Sequence, residues 1–406
     1  MRKLSIRSCE VVGKRVLMRV DFNVPIDRDK NITDDTRVVA ALPTIRNIIE
    51  RGGRLILMSH LGRPRGRRNE QLSLAPVAFR LGELVKDNPI RFVRDCVGED
   101  AKYKVDSLRD GEILLLENLR FHPGEETNDP DFARELASHG DLFVNDAFGT
   151  AHRAHASTVG VAEYFDIRAA GFVMEKELDA LGGTIETPKR PFVAILGGAK
   201  IKGKINLVKS LLEKVDVLLV GGGMMFTFFK ATGLEIGRSI VDDEYLPACK
   251  ELLDKSRQGP GRLLLPVDCI VAQEIDDASP TREVSSADIP EDWVGVDIGP
   301  KSVALFKKEL GAASTIFWNG PMGVFEHPSF ADGTKEIARV VAEATSRGAV
   351  TVVGGGDSVA AINLMGLGEK YTHISTGGGA SLEFMEGNDL PGVEALCDVA
   401  EASCDR

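Results

Sequence analysis

Short apolar runs recur along this 406-residue chain and alternate with longer, helix-like stretches. In the first half they fall at 15–20, 55–58, 113–116 and 142–144, and in the second at 192–196, 217–220, 315–318 and 350–353. They are apolar almost throughout rather than at every second position, which is the pattern of strands buried on both faces. The intervening segments are long enough for crossover helices, so each half predicts a parallel sheet. The expected fold class is α/β, with two Rossmann-like lobes, each a parallel sheet flanked by helices. In such folds ligands sit at the carboxyl ends of the strands, so the residues after each run carry the functional signal.

The length exceeds what one core usually supports and predicts two domains. A content of 43% apolar and 27% charged residues is ordinary for a globular protein. No run is long enough to cross a bilayer and no signal-peptide core follows Met1, so the expectation is a cytoplasmic protein. Six cysteines (Cys9, Cys96, Cys249, Cys269, Cys397, Cys404) lie far apart without a Cys-x-x-Cys pair and are expected to be reduced thiols. The net charge of −11 is not shared evenly. Residues 1–170 hold 27 Lys and Arg against 26 Asp and Glu, 21 of the 27 being arginine, and the remainder holds 23 against 35. An acidic chain with an arginine-rich, nearly neutral half is a poor general binder of nucleic acid, but it can hold a small polyanion locally.

Glycine clusters in the second half: Gly197-Gly198, Gly221-Gly222-Gly223, Gly354-Gly355-Gly356 and Gly377-Gly378-Gly379. Such turns between strand and helix let phosphates reach bare amides at the positive helix end, which predicts a nucleotide-phosphate platform. Gly198-Ala199-Lys200-Ile201-Lys202-Gly203-Lys204-Ile205 fits the P-loop spacing, but Ile205 stands where a Ser or Thr must reach Mg²⁺, so that reading is rejected. Lys200 and Lys204, four apart, are expected on one side of a helix opening after Gly197-Gly198, where they would neutralise a phosphoryl group. Asp357, at the start of another expected helix, is either a cap or the carboxylate that holds Mg²⁺ on nucleotide phosphates.

In the first half, arginines follow successive strands: Asp21, Asn23 and then Arg37; His60 and Arg63; Arg120 and His122; and His152-Arg153 with His155. One arginine alone reads as a solvated surface charge. Repetition at four strand ends fits a small ligand bearing phosphate and carboxylate, whose oxygens match guanidinium forks. The run Arg63 to Arg68 lacks interleaved aromatics and reads as a solvated loop rather than a nucleic-acid patch.

Val20-Asp21-Phe22-Asn23-Val24-Pro25, Ser59-His60-Leu61-Gly62-Arg63-Pro64, Glu117-Asn118-Leu119-Arg120-Phe121, Asp146-Ala147-Phe148-Gly149-Thr150-Ala151-His152-Arg153, Leu196-Gly197-Gly198-Ala199-Lys200, Trp318-Asn319-Gly320-Pro321-Met322-Gly323-Val324-Phe325-Glu326 and Gly354-Gly355-Gly356-Asp357 together resemble phosphoglycerate kinases. The resemblance runs in register to Leu390-Pro391-Gly392-Val393. It implies reversible phosphoryl transfer from 1,3-bisphosphoglycerate to MgADP by a hinge-bending monomer without nucleic-acid or membrane partners. Residues 1–170 would form the phosphoglycerate domain, 171–187 an interdomain helix ended by Gly182-Gly183 as a hinge, and 188–392 the nucleotide domain, with 393–406 packing back on the first. Asp21, Asn23, Arg37, His60, Arg63, Arg120 and Arg153 would hold the phosphoglycerate. Gly197, Lys200, Lys204, Gly222, Asn319, Glu326, Gly355, Gly356, Asp357 and Ser358 would hold the nucleotide, with Asp357 on Mg²⁺, Glu326 near the ribose, and Gly221 to Gly223 with Met322 around the adenine. Arg37, Lys200 and the amides of Gly355 and Gly356 would act on the phosphoryl group in transit. Lys202-Gly203 departs from the family's usual Ser-Asp or Ala-Asp.

Overall fold

A computed structural model of the protein describes residues 2–399. By internal contacts the chain divides into two compact units, one of residues 1–179 with 389–406 and the other of residues 180–388. The first unit contains six parallel strands: β1 (Arg15–Arg19), β2 (Arg54–Met58), β3 (Ile90–Phe92), β4 (Ile113–Leu115), β5 (Leu142–Asn145) and β6 (Arg168–Ala170). Their order across the sheet is β3-β4-β2-β1-β5-β6. The chain leaves β1 toward β2 and returns on the other side at β5, which opens a crevice beyond the carboxyl ends of this neighbouring pair. Register places Arg19 opposite Asn145 at its edge. The helix Thr36–Glu50 closes one face through Val38, Ala41, Leu42, Ile45, Ile48 and Ile49, a stripe at helical spacing that buries against Val16, Met18, Leu55 and Leu57.

The second unit repeats the plan with β7 (Phe192–Leu196), β8 (Val217–Val220) and β9 (Arg262–Leu264). An antiparallel sheet intervenes, made of β10 (Asp268–Ala272), β11 (Thr281–Ser285) and β12 (Val294–Ile298), in the order β11-β10-β12. The parallel sheet then resumes with β13 (Thr315–Asn319), β14 (Val350–Gly354) and β15 (His373–Ile374), giving β15-β14-β13-β7-β8-β9. Here the order reverses between β7 and β13, with Leu196 opposite Asn319. All eight apolar runs became strands of the two parallel sheets. The missed strands of the parallel sheets are short: β3 has an arginine at its centre, β6 is Arg-Ala-Ala, and β9 and β15 have three and two residues. In the antiparallel sheet β11 is Thr-Arg-Glu-Val-Ser, exposed along most of its length, while β10 and β12 are five residues each, mostly buried, with an aspartate in each. The antiparallel sheet adds a layer that the two-sheet expectation omitted.

The helix Phe172–Glu186 starts on the first unit, where the buried carboxylate of Asp146 accepts bonds from the Val173 and Met174 amides at 2.7 and 3.2 Å. Gly182 and Gly183 were expected to end this helix. They lie inside it, because a glycine with helical neighbours on both sides merely weakens the turn, at a cost of about 1 kcal/mol, without stopping it. The last described residues run back along the first unit. The Gly392 amide donates to Ala151 O, Cys397 N to Arg168 O and Leu4 N to Cys397 O, and Lys3 pairs with Asp398 at 3.0 Å. Residues 400–406, including Cys404, lie outside the described part; Cys9, Cys96, Cys249, Cys269 and Cys397 are buried free thiols. No helix among the described residues is long and apolar enough to cross a membrane.

Candidate functional site

In the first unit the crevice is built outward from Arg19, a buried charge at the carboxyl end of β1 directly after the apolar Val16, Leu17 and Met18. Its side chain is fully buried. Nε donates to Ser157 Oγ at 2.9 Å, and Ser157 in turn donates from Oγ and N to the buried carboxylate of Glu125 at 2.6 and 3.0 Å. Arg19 Nη2 lies 3.1 Å from His60 Nδ1. A guanidinium can only donate, so Nδ1 must accept and the imidazole proton sits on Nε2. Burial, then the charges of Arg19, Arg120 and Arg37, hold the His60 pKa well below its ordinary value, so His60 is a neutral ring that donates through Nε2. Burial raises the Glu125 carboxyl, with Arg19 and the Ser157 bonds acting against it.

The expected binding residues gather around this buried frame. Arg37, on the first turn of the helix Thr36–Glu50, lies 3.2 Å from Asp21 Oδ2 and donates to Asn23 O at 3.0 Å. The Asn23 side chain accepts from Gly62 N at 2.9 Å, and the buried Arg120 donates to Gly62 O at 2.9 Å, so three strand ends meet at one glycine. Arg120 also stands 3.3 Å from Glu126. Arg63 and Arg153 are exposed. Both are near enough that, after burial, their charges also push the Arg120 pKa down. His155, unassigned from sequence, is pushed to about 4 by burial and then by Arg120, Arg19 and Arg153. Burial and the neighbouring guanidinium charges together hold both histidines neutral, and the arginines gathered around them suit an anion. Arg19, Glu125 and Ser157 were missed, although an arginine inside a run read as buried on both faces was a visible signal.

The second unit builds its crevice from backbone. The Gly197 amide donates to Asn319 O, Gly198 to Pro321 O, Gly221 to Leu196 O and Gly222 to Met322 O, so the turns after β7, β8 and β13 lie on one another. A Cβ on Gly197 would stand 2.1 Å from Pro321 O, and one on Gly222, where φ is +64°, 2.5 Å from Gly198 N. Only glycine permits that approach. Lys204 Nζ donates to Gly197 O at 2.7 Å, and burial pushes its pKa down to about 8 against the pull of Asp357.

Lys200 and Lys204 do not share a helix face. The helix begins at Ile205, and Lys200 lies exposed in the turn before it while Lys204 folds inward from the cap position. Gly203, with φ at +82°, breaks the helical path between them. Gly355, with φ at +88°, caps the helix Gly356–Leu364 and lies against Asn319 Nδ2. That buried amide nitrogen has no hydrogen-bond partner among the described residues, and a Cβ on Gly355 would stand 2.7 Å from it. Asp357 is exposed on the first helical turn, and Ser358, beside it, is buried with its hydroxyl accepting from Gly320 N at 2.6 Å. Glu326 is exposed in the loop after β13.

Two parallel-sheet units, one lining its crevice with arginines and the other with glycine turns and an inward lysine at a helix start, carry the groups of a small-molecule phosphotransferase. The family model for phosphoglycerate kinase matches residues 6–388. Phosphoglycerate kinases of Chlorobaculum tepidum and Pelodictyon phaeoclathratiforme are 56% and 55% identical over 98% of this chain and 100% of their own. The structure of phosphoglycerate kinase from Coxiella burnetii superposes with a TM-score of 0.88 at 40% identity, covering 97% of this chain and 98% of that one. That from Pyrococcus horikoshii gives 0.82 at 33% over the same shares. The chain belongs to the phosphoglycerate kinase family.

Proposed function

We propose that the arginine crevice of the first unit holds the phosphoglycerate and the glycine turns of the second hold the nucleotide. The reaction is that of the family, reversible phosphoryl transfer from 1,3-bisphosphoglycerate to ADP in glycolysis. The observation that carries the assignment is the cluster of Arg19, Arg37 and Arg120 around neutral His60 and His155, which a phosphate and carboxylate ligand would satisfy. Each charge-assisted hydrogen bond is worth about 1.5–3 kcal/mol, so a handful suffices for micromolar binding, about 8 kcal/mol.

An acyl phosphate is already activated, and its transfer requires positioning and neutralisation of the equatorial oxygens rather than a strong base. Arg37 from one unit and Lys200 from the other supply the charge, and the amides of Gly355 and Gly356 assist at the same oxygens. These groups act on one phosphoryl group only if the domains, 1–170 and 188–392, close about the 171–187 segment, which also excludes water from the acyl phosphate. Phosphate arriving beside Lys204 would raise its pKa from about 8 and make its charge permanent at neutral pH. Asp357 suits Mg²⁺ on the nucleotide, because its carboxylate is exposed beside the platform and takes no hydrogen bond among the described residues. There Asp357 would hold the ion, which would supply charge neutralisation of the phosphates. Gly197 and Gly222 with Met322 line the adenine side, and Glu326 reaches the ribose. The protein acts as a cytoplasmic monomer.

ATP formation from 1,3-bisphosphoglycerate, ADP and Mg²⁺ in a coupled assay tests the reading. Folded protein without ATP formation would make the chain a silent anion-binding relative.

A further inference from the structure

Beyond the strand Ile90–Phe92, the chain places Asp95 and Cys96 against His122, which follows the turn Leu119–Phe121. Asp95 Oδ1 lies 2.7 Å from His122 Nε2, and with Cys96 Sγ the three ligand atoms all lie within 4.8 Å of one another. No other such group of three His, Cys, Asp or Glu occurs among the described residues. Cys96 forms the floor at 1% exposure, whereas the Asp95 and His122 side chains are 49% and 31% exposed, so the trio opens to solvent on one side only.

Outer contacts hold all three in place. The Cys96 amide donates to Asp95 Oδ1 at 2.7 Å, His139 Nε2 lies 3.0 Å from Cys96 O, and the His122 ring stacks on Phe132 at 5.1 Å between centroids. Such supports are what orient metal ligands.

We propose that Asp95, Cys96 and His122 form a binding site for one borderline-soft divalent cation of the Zn²⁺ class, separate from the nucleotide site. Tetrahedral Zn²⁺, with bonds of about 2.0–2.3 Å, needs ligand atoms about 3.3–3.6 Å apart. The Asp95–His122 pair must open by less than about 1 Å and the thiol must close by about 1 Å, within reach of small side-chain rotations. A thiolate and a carboxylate together balance the two charges of the ion, so a nearly neutral centre forms at the edge of the buried region, with water as the fourth ligand. On binding, the Cys96 thiol gives its proton to solvent and its sulfur lone pair forms one metal bond, while the proton on His122 Nε2 that bridges to Asp95 moves through solvent to Nδ1, freeing the Nε2 lone pair for another.

The test is titration of chelator-stripped protein with Co²⁺, followed by competition with Zn²⁺. The expected results are a thiolate-to-cobalt absorption band, release of one proton per ion, and Zn²⁺ binding at least tenfold weaker in Cys96→Ser and His122→Gln. Zn²⁺ should also raise the melting temperature of the wild type and not of these variants. If Cys96→Ser does not fold, the half-exposed His122→Gln and Asp95→Asn decide the matter. Absence of the thiolate band, or variants that bind Zn²⁺ as tightly as the wild type, would overturn the site and leave Asp95 and His122 as a simple hydrogen-bonded pair.

Discussion

The two units share a sheet plan but build the crevices at their strand ends from different material. In the first, the polar groups are side chains on four strand ends; in the second, three glycine turns pack on one another with their amides spent on each other's carbonyls, beside the helix start at Gly356. Side-chain cations must be held against their own repulsion, and this is the work of a buried second layer, Arg19 to Ser157 to Glu125, which no ligand needs to touch. Backbone amides carry no net charge and need no such layer. They need room, which is why a Cβ at Gly197 or Gly222 collides with backbone atoms. The first site is therefore vulnerable to changes of charge, and the second to changes of volume.

The sharpest way to break this contrast is Arg19→Met, which keeps much of the volume and removes the charge. Stranding buried Glu125 should cost about 3–5 kcal/mol in denaturant unfolding, and should raise KM for phosphoglycerate as His60 loses its partner. A variant as stable as the wild type would show that the buried layer is dispensable. Arg37→Ala and Lys200→Ala should each lower kcat about 10²–10³-fold with both substrates saturating, while the protein stays folded. Near-normal turnover in either would sink the transfer-site assignment. Gly222→Ala adds one methyl group and no charge, yet should destabilise the protein by about 2 kcal/mol. It should weaken ADP binding in calorimetry and leave phosphoglycerate affinity unchanged; weakening of both ligands alike would erase the distinction between the sites.

The smallest effect is one of pH. His155 titrates near 4 in the folded chain against an ordinary 6.5, so as pH falls below 6.5 the unfolded chain takes up protons that the folded chain refuses. Stability of the wild type relative to His155→Gln should thus decline on acidification, by about 1 kcal/mol at about pH 5.5, and go on declining toward about pH 4. Melting curves of the two proteins across that range read the difference directly, and parallel curves would remove His155 from the cationic cluster.

Apolar continuity alone located both parallel sheets, because a strand covered on both faces has no polar positions to disguise it. It failed at the short edge strands Ile90–Phe92, Arg168–Ala170, Arg262–Leu264 and His373–Ile374, and at the antiparallel sheet, where Asp268, Asp297 and the polar Thr281–Ser285 break the apolar pattern. Residue type and spacing likewise supplied the arginines, the glycine turns and Asp357, since each lies in a local run after a strand. What the tertiary structure alone decided was which groups meet. Lys200 and Lys204 looked alike in the chain, but one is exposed and the other folds back onto Gly197 O. Glu125 and Ser157 are 32 residues apart, and nothing local ties them to Arg19 or shows that together they fix the His60 proton on Nε2. Local sequence sets a strand and its turn because those depend on near neighbours; pairing of buried charge depends on which distant segments the sheet order brings together.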